Sequence, residues 1–112
     1  MGGRQAADSR VRRVRDLVFL FSADVDIQQA YEYYENYQEG RGELFMRHLD
    51  IAFTHLRKFP EIAPVFHGNY RRLLVPRYPF GIYYTLESAR IIVAGVTHLQ
   101  QDPGNVLRRL EK

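Results

Sequence analysis

The chain contains no cysteine, and this absence removes several kinds of chemistry at once. Without thiols there is no disulfide bridge, no thiolate zinc site and no cysteine nucleophile, and a reducing cytoplasmic setting is expected. The sequence also lacks the run of roughly 20 apolar residues that a helix needs to span a bilayer. Charged residues stand where a signal peptide would be apolar, so we expect a soluble cytoplasmic chain without a membrane partner.

Motifs of the common enzyme classes are missing as well. No glycine spacing fits a phosphate-binding loop or a dinucleotide fingerprint, and no Gly-x-Ser-x-Gly elbow is present. Two histidines of one predicted helix, His48 and His55, lie two turns apart, which is too far to share a metal ion. We therefore expect no metal and no small-molecule cofactor, and we expect neither a hydrolase nor a nucleotide-binding protein.

Lysine is scarce, whereas arginine is abundant. The 112 residues carry a net charge of +3, with 14 arginines against 2 lysines. Arginine-rich surfaces often meet acidic proteins or nucleic acids, although a solvated basic surface has the same composition. Five arginines and few large apolar residues fall in residues 1–16, which predicts a flexible tail. Residues 17–112 are expected to form a single domain.

The first half of that domain predicts a strand and two helices. The apolar run of residues 17–22 is typical of a strand buried on both faces. Asp24 is a candidate N-cap for a helix that ends near Gly40. A second amphipathic helix is expected over residues 43–59, where Pro60 ends it. The short connection between the two helices predicts an αα-hairpin.

The second half predicts a sheet. After a connecting loop at residues 60–69, apolar strands are expected at residues 71–75, 80–85 and 90–97, joined by turns of hairpin length. The fold class is therefore α+β, in the order β-α-α-β-β-β, with an antiparallel three-stranded meander. The helices are expected on one face of the sheet, which leaves the other face free to bind.

Basic and aromatic side chains of the meander form the only chemically suggestive set. Metal-free RNA cleavage uses basic groups to stabilise charge on the scissile phosphate and a histidine or tyrosine to move the proton. The alternative is that the tyrosines belong to the core and the arginines to a solvated edge. The candidates are Arg71, Arg72, Arg77, Tyr78, Tyr83 and His98.

Several segments, taken in order, resemble the RelE/ParE superfamily of bacterial type II toxins. They read YEYYE, GRGELF, FPEIAPVF, RRLLVPRYPFGIYY and VTHLQQDP. The resemblance spans residue 17 to about residue 104, and it implies a strand, a helical hairpin and a three-stranded meander. It also implies a cognate antitoxin whose carboxy-terminal segment wraps around the toxin.

The superfamily contains two activities. Members similar to RelE cut messenger RNA in the ribosome through basic residues of the sheet, whereas members similar to ParE poison DNA gyrase. Gln100 and Gln101 are neutral where relatives more usually carry arginine after the histidine, so it stays open whether toxicity is retained. The YPFGIYY stretch of residues 78–84 resembles ParE members, and Leu74 and Gly81 stand where the ribonucleases carry charge. The resemblance therefore implies a ParE-like toxin that binds DNA gyrase and is neutralised by its antitoxin.

Two alternatives stay open beside the ParE-like reading. One is a RelE-like endoribonuclease that acts on ribosome-bound mRNA through Arg72 and His98, and the other is a member of the fold that has lost toxicity. For the leading hypothesis, arginines would pair with antitoxin carboxylates, and aromatic side chains would supply apolar contact. The residues expected to bind antitoxin or target are Arg71, Arg72, Arg77, Tyr78, Phe80, Tyr83, His98 and Gln101.

Overall fold

A computed structural model describes residues 16–101 and 103–110. The flexible tail expected at residues 1–16 lies outside this part, apart from Asp16. One strand, two helices, four strands and a final helix follow one another in an α+β arrangement, which confirms the predicted fold class. The elements are β1 (Asp16–Phe19), α1 (Phe21–Tyr37), α2 (Arg41–Lys58), β2 (Val65–His67), β3 (Tyr70–Leu74), β4 (Phe80–Glu87), β5 (Arg90–His98) and α3 (Pro103–Leu110).

Helices α1 and α2 form the predicted hairpin, and two glycines explain how closely they approach. Gly40 has a left-handed φ of 91°, which turns the chain between the helices. The Glu35 carboxylate accepts hydrogen bonds from the backbone N–H groups of Gly40 and Gly42 and so holds this turn. A Cβ at Gly42 would lie only 2.7 Å from the ring of Tyr31, so the contact requires a glycine.

The amino-terminal strand differs from its prediction. It is an edge strand that ends at Phe19, and the last part of the predicted strand belongs to α1. The Leu20 carbonyl accepts hydrogen bonds from the N–H groups of Ala23 and Asp24, so the first helical turn closes on Leu20. Asp24 is therefore not the N-cap, although its charge still lies in the first turn, where the helix dipole favours it.

The sheet has five strands in the order β1-β5-β4-β3-β2. Strands β3, β4 and β5 form the predicted antiparallel meander, and β1 pairs in parallel with β5. The fifth strand, β2, lies within the predicted connecting loop. It pairs antiparallel with β3 through Val65 and His67.

The two faces of the sheet carry separate apolar clusters. On the hairpin face, alternate residues of β4 (Phe80, Ile82 and Tyr84) pack with the buried stripe of α2, as the sequence predicts. On the opposite face, Tyr83 of β4 packs with Val106 and Leu110 of α3. The expectation that this second face is free is therefore wrong, because the carboxy-terminal helix covers part of it.

Candidate functional site

The two neighbouring arginines of β3 lie on opposite faces of the sheet. Arg71 is opposite Tyr84 on the hairpin face, and Arg72 is opposite Tyr83 on the α3 face. Consecutive residues of a strand alternate between faces, so the two side chains cannot serve one surface. The Arg71 guanidinium donates to the carbonyl of Ala63 at 2.6 Å, and it thereby fastens the segment between α2 and β2.

Arg72 contacts an aromatic ring, and its side chain crosses β4 at Gly81, where no side chain is in the way. Its guanidinium carbon lies 4.6 Å from the centroid of the Phe66 ring, which is a cation–π contact. A Cβ at Gly81 would lie 3.1 Å from the Arg72 side chain. Gly81 therefore provides room for the arginine stem to cross β4, where Leu99 also approaches.

Arg77 and Tyr78 are neighbours in the turn between β3 and β4, but their surroundings differ. Arg77 is exposed and has a φ of 73°, an uncommon conformation for a residue with a side chain. Tyr78 points back to the hairpin, where it makes edge contacts with Phe45 and Tyr34 at 5.0 and 5.4 Å between ring centroids. Burial raises the pKa of the Tyr34 phenol above its ordinary value, because the charged form loses contact with water.

Phe80 and Tyr83 are core residues of the two faces, with exposed fractions of 7% and 4%. The hairpin and α3 cover most of both side chains, so little of either is left on the surface. Apolar contact of these two residues with a partner stays a prediction. The competing interpretation, in which the tyrosines of the meander belong to the core, describes Tyr83 correctly.

His98 and Gln101 do come together, in a cleft of about 460 Å³ between α1 and the end of β5. His98 is half-buried against Phe80, and its Nδ1 atom accepts a hydrogen bond from the Gln100 N–H at 3.0 Å. In the neutral ring the proton therefore lies on Nε2, which makes that nitrogen a hydrogen-bond donor. The cleft is lined by Asp26, Gln29, Ala30, Tyr33, Phe80, Val96, Thr97, His98, Gln100 and Gln101.

Beside this cleft, polar side chains of α1 and α3 form hydrogen bonds with the backbone at the edge of β5. β1 covers the edge only as far as Val93, and Ala94 is an extra residue that forms a bulge opposite β4. Beyond it, Asp26 accepts a hydrogen bond from the Val96 N–H at 3.0 Å. The Ala94 carbonyl accepts from Ser22 at 2.8 Å and from Arg109 at 3.1 Å.

This capped edge was missed by the sequence reasoning. Neither Asp26 nor Arg109 is among the residues predicted from the sequence. A signal existed at Gly95, because a glycine inside an apolar strand often marks a bulge or a close approach. A Cβ there would lie 2.9 Å from Arg109 and 3.2 Å from Asp26, so Gly95 makes room for the pair.

One buried polar atom near the cleft has no partner. The Oγ1 atom of Thr97 makes no hydrogen bond within residues 16–101 and 103–110, although the residue is only 4% exposed. Elsewhere in those residues, no group of three or more acidic or histidine side chains is placed to hold a metal ion. Every helix of the described part is also too short or too polar to cross a bilayer.

The shape of the chain is similar to that of a solved structure from P. aeruginosa, described as a chromosomal ParDE TA system, that is, a toxin–antitoxin system. The TM-score is 0.68 at 15% sequence identity, over 76% of this chain and 96% of the matched chain. Neither a protein-family model nor a curated protein matches the sequence. The comparison therefore shows a shared fold, in agreement with the fold that the sequence resemblance implied.

Proposed function

We propose that this chain is the toxin of a bacterial type II toxin–antitoxin pair, acts by binding a protein target, DNA gyrase, and is neutralised by a cognate antitoxin. Two observations support a toxin: the ordered sequence segments described above, and the fold shared with a chain of a ParDE system.

The positions of Arg72 and His98 are the observation that favours binding over RNA cleavage. In the β4 register, Arg72 is opposite Tyr83 on the α3 face, while His98 is opposite Phe80 on the hairpin face. Metal-free phosphodiester cleavage needs its charge stabiliser and its proton-transfer group around one phosphate. In this chain the sheet lies between them, so the pair does not form a common centre.

Arg77 is the arginine of the predicted set best placed to meet an acidic antitoxin. Arg71 is engaged with backbone carbonyls, and Arg72 is stacked on Phe66. Arg77 is exposed and makes no hydrogen bond or ion pair with the described residues. An antitoxin carboxylate would gain a charge-assisted hydrogen bond there without breaking an existing contact. His98 and Gln101, in the cleft, are proposed to contact the antitoxin or the target.

A supercoiling assay tests the target. Relaxed plasmid, ATP and DNA gyrase are incubated with increasing amounts of the purified chain, and supercoiled product is measured on a gel. We expect supercoiling to fall with toxin concentration and to recover when antitoxin is added. Growth arrest on expression together with unimpaired supercoiling would reject gyrase as the target. Normal growth without antitoxin would instead indicate a fold member without toxicity.

Ribosomes programmed with a defined message test the alternative activity. We expect intact message after incubation with the chain, and cleavage in the A site that is lost in the His98→Ala variant would overturn the proposal.

Co-purification with the product of the adjacent gene tests the antitoxin. We expect Arg77→Glu to weaken that complex about tenfold, since it replaces an attraction by a repulsion, while Arg90→Glu, at the other end of the sheet, leaves it unchanged.

A further inference from the structure

The outward face of α2 carries exposed apolar side chains. Ile51 of α2 is 59% exposed, and Phe59, which directly follows the helix, is 55% exposed, although the opposite face of α2 is buried in the core. Between them runs a groove of about 440 Å³, lined by Asp50, Ile51, Thr54, His55, Lys58 and Phe59. Nothing else in the described part of the chain covers this groove.

The spacing of the groove residues fits a helix as occupant. Ile51, Thr54, His55 and Lys58 stand at positions i, i+3, i+4 and i+7. Four residues at this spacing form the hole into which a side chain of a facing helix inserts in coiled-coil packing.

The charges beside the groove are arranged symmetrically about Thr54. Asp50 lies four residues before it and Lys58 four residues after it, so the two opposite charges are about 12 Å apart along the axis. Neither has an ion-pair partner among the described residues.

We propose that a second copy of this chain docks on this face, with its α2 antiparallel to the first and a two-fold axis near Thr54. In that arrangement Asp50 of each copy meets Lys58 of the other. The same patch serves both copies, as a two-fold interface requires. A parallel arrangement would place Asp50 against Asp50 and Lys58 against Lys58, so the charges select the antiparallel one.

The dimer is expected to be weak and dependent on concentration, because one helix face buries less area than a standard interface. The self-complementary charges of this helix face identify a second copy of the chain as the partner. This inference does not rest on the proposal that the chain is a toxin. Sedimentation equilibrium of the full chain at several concentrations measures the association. The variants are Asp50→Lys, Lys58→Asp, the double variant with both changes, and the control Glu39→Lys in the turn before α2.

We expect each single reversal to weaken dimerisation at least about tenfold, because it places like charges in contact. The double variant exchanges the two charges, so it should restore association to within about threefold of the original, while Glu39→Lys leaves it unchanged. Unchanged helical circular dichroism shows that all variants are folded. A chain that stays monomeric at the highest concentration, a dimer indifferent to the reversals, or a double variant without recovery would each overturn the proposal.

Discussion

Asp26 and Arg109 form an ion pair at 2.9 Å that joins α1 to α3 around the edge of β5. The Asp26 carboxylate also accepts the Val96 N–H, and the Arg109 guanidinium also donates to the Ala94 carbonyl. The pair thus satisfies backbone groups of β5 beyond Val93, where β1 no longer covers the edge. Since an exposed strand edge invites pairing with other chains, this pair also protects the edge beside the cleft.

Replacing Asp26 by asparagine is expected to destabilise the fold by about 2 kcal/mol, because Arg109 is left without its counter-charge in a partly buried site. The matched control is Asp24→Asn, which makes the same change one half-turn earlier at an exposed position and should cost less than about 0.5 kcal/mol. Urea unfolding followed by circular dichroism measures both. Equal effects of the two variants would contradict the role of the pair.

Replacing Gly42 by alanine tests the close approach within the hairpin. The added methyl group would lie 2.9 Å from the carbonyl oxygen of Tyr31 as well as against its ring, and backbone cannot move aside as a side chain can. We expect a loss of about 1–3 kcal/mol despite the better helix propensity of alanine. Gly40→Asn is the comparison, because Gly40 has open space and asparagine tolerates a left-handed φ. In thermal unfolding, the midpoint temperature of Gly42→Ala should lie well below that of Gly40→Asn.

The hairpin and the meander were predictable because local signals define them. Gly40 and Pro60 mark helix ends, and alternation in β4 assigns its residues to two faces. The start of α1 was not predictable, since it depends on the Leu20 carbonyl rather than on the better capping residue Asp24. The ion pair of Asp26 with Arg109 joins residues 83 positions apart. Gly95 marks a close approach on β5, but the sequence does not indicate which residues approach it.

The candidate site was predictable only in part. The meeting of His98 with Gln101 in one cleft follows from their closeness in sequence. The separation of Arg71 from Arg72 also follows from strand alternation, although the sequence reasoning assigned both to one surface. The burial of Tyr83 could not be foreseen in this way, because it depends on where α3 packs.

The unpartnered hydroxyl of Thr97 predicts a substitution that does no harm. Valine has nearly the same shape and removes the buried oxygen, so Thr97→Val should leave stability unchanged or raise it by up to about 1 kcal/mol. Ser22→Ala provides the contrast, because the Ser22 hydroxyl donates to the Ala94 carbonyl at 2.8 Å. Its loss should cost about 1 kcal/mol. Chemical denaturation of both variants measures the difference, and a destabilised Thr97→Val would show that the hydroxyl has a partner.

Tyr84 predicts a change in stability at alkaline pH. Its buried hydroxyl donates to the Pro60 carbonyl at 2.9 Å, and burial is the main cause that raises the pKa of the phenol above its ordinary value of 10.0. The folded state therefore holds this proton more tightly than the unfolded chain does. The stabilisation of the folded state that results from this difference is fully present below pH 10. It is lost as the pH rises from there through the raised pKa.

The Tyr84→Phe variant isolates this contribution, because phenylalanine fills the same space without a titrating group. At pH 7 we expect the variant to be about 1 kcal/mol less stable, since the Pro60 carbonyl loses its donor. Above pH 10 the difference should shrink, because only the original chain loses stability through this residue as the unfolded phenol ionises. Urea unfolding at a series of pH values from 7 to 11 measures it. The other tyrosines titrate in both proteins and cancel in the comparison, so a constant difference would show that Tyr84 ionises equally easily in the folded and unfolded states.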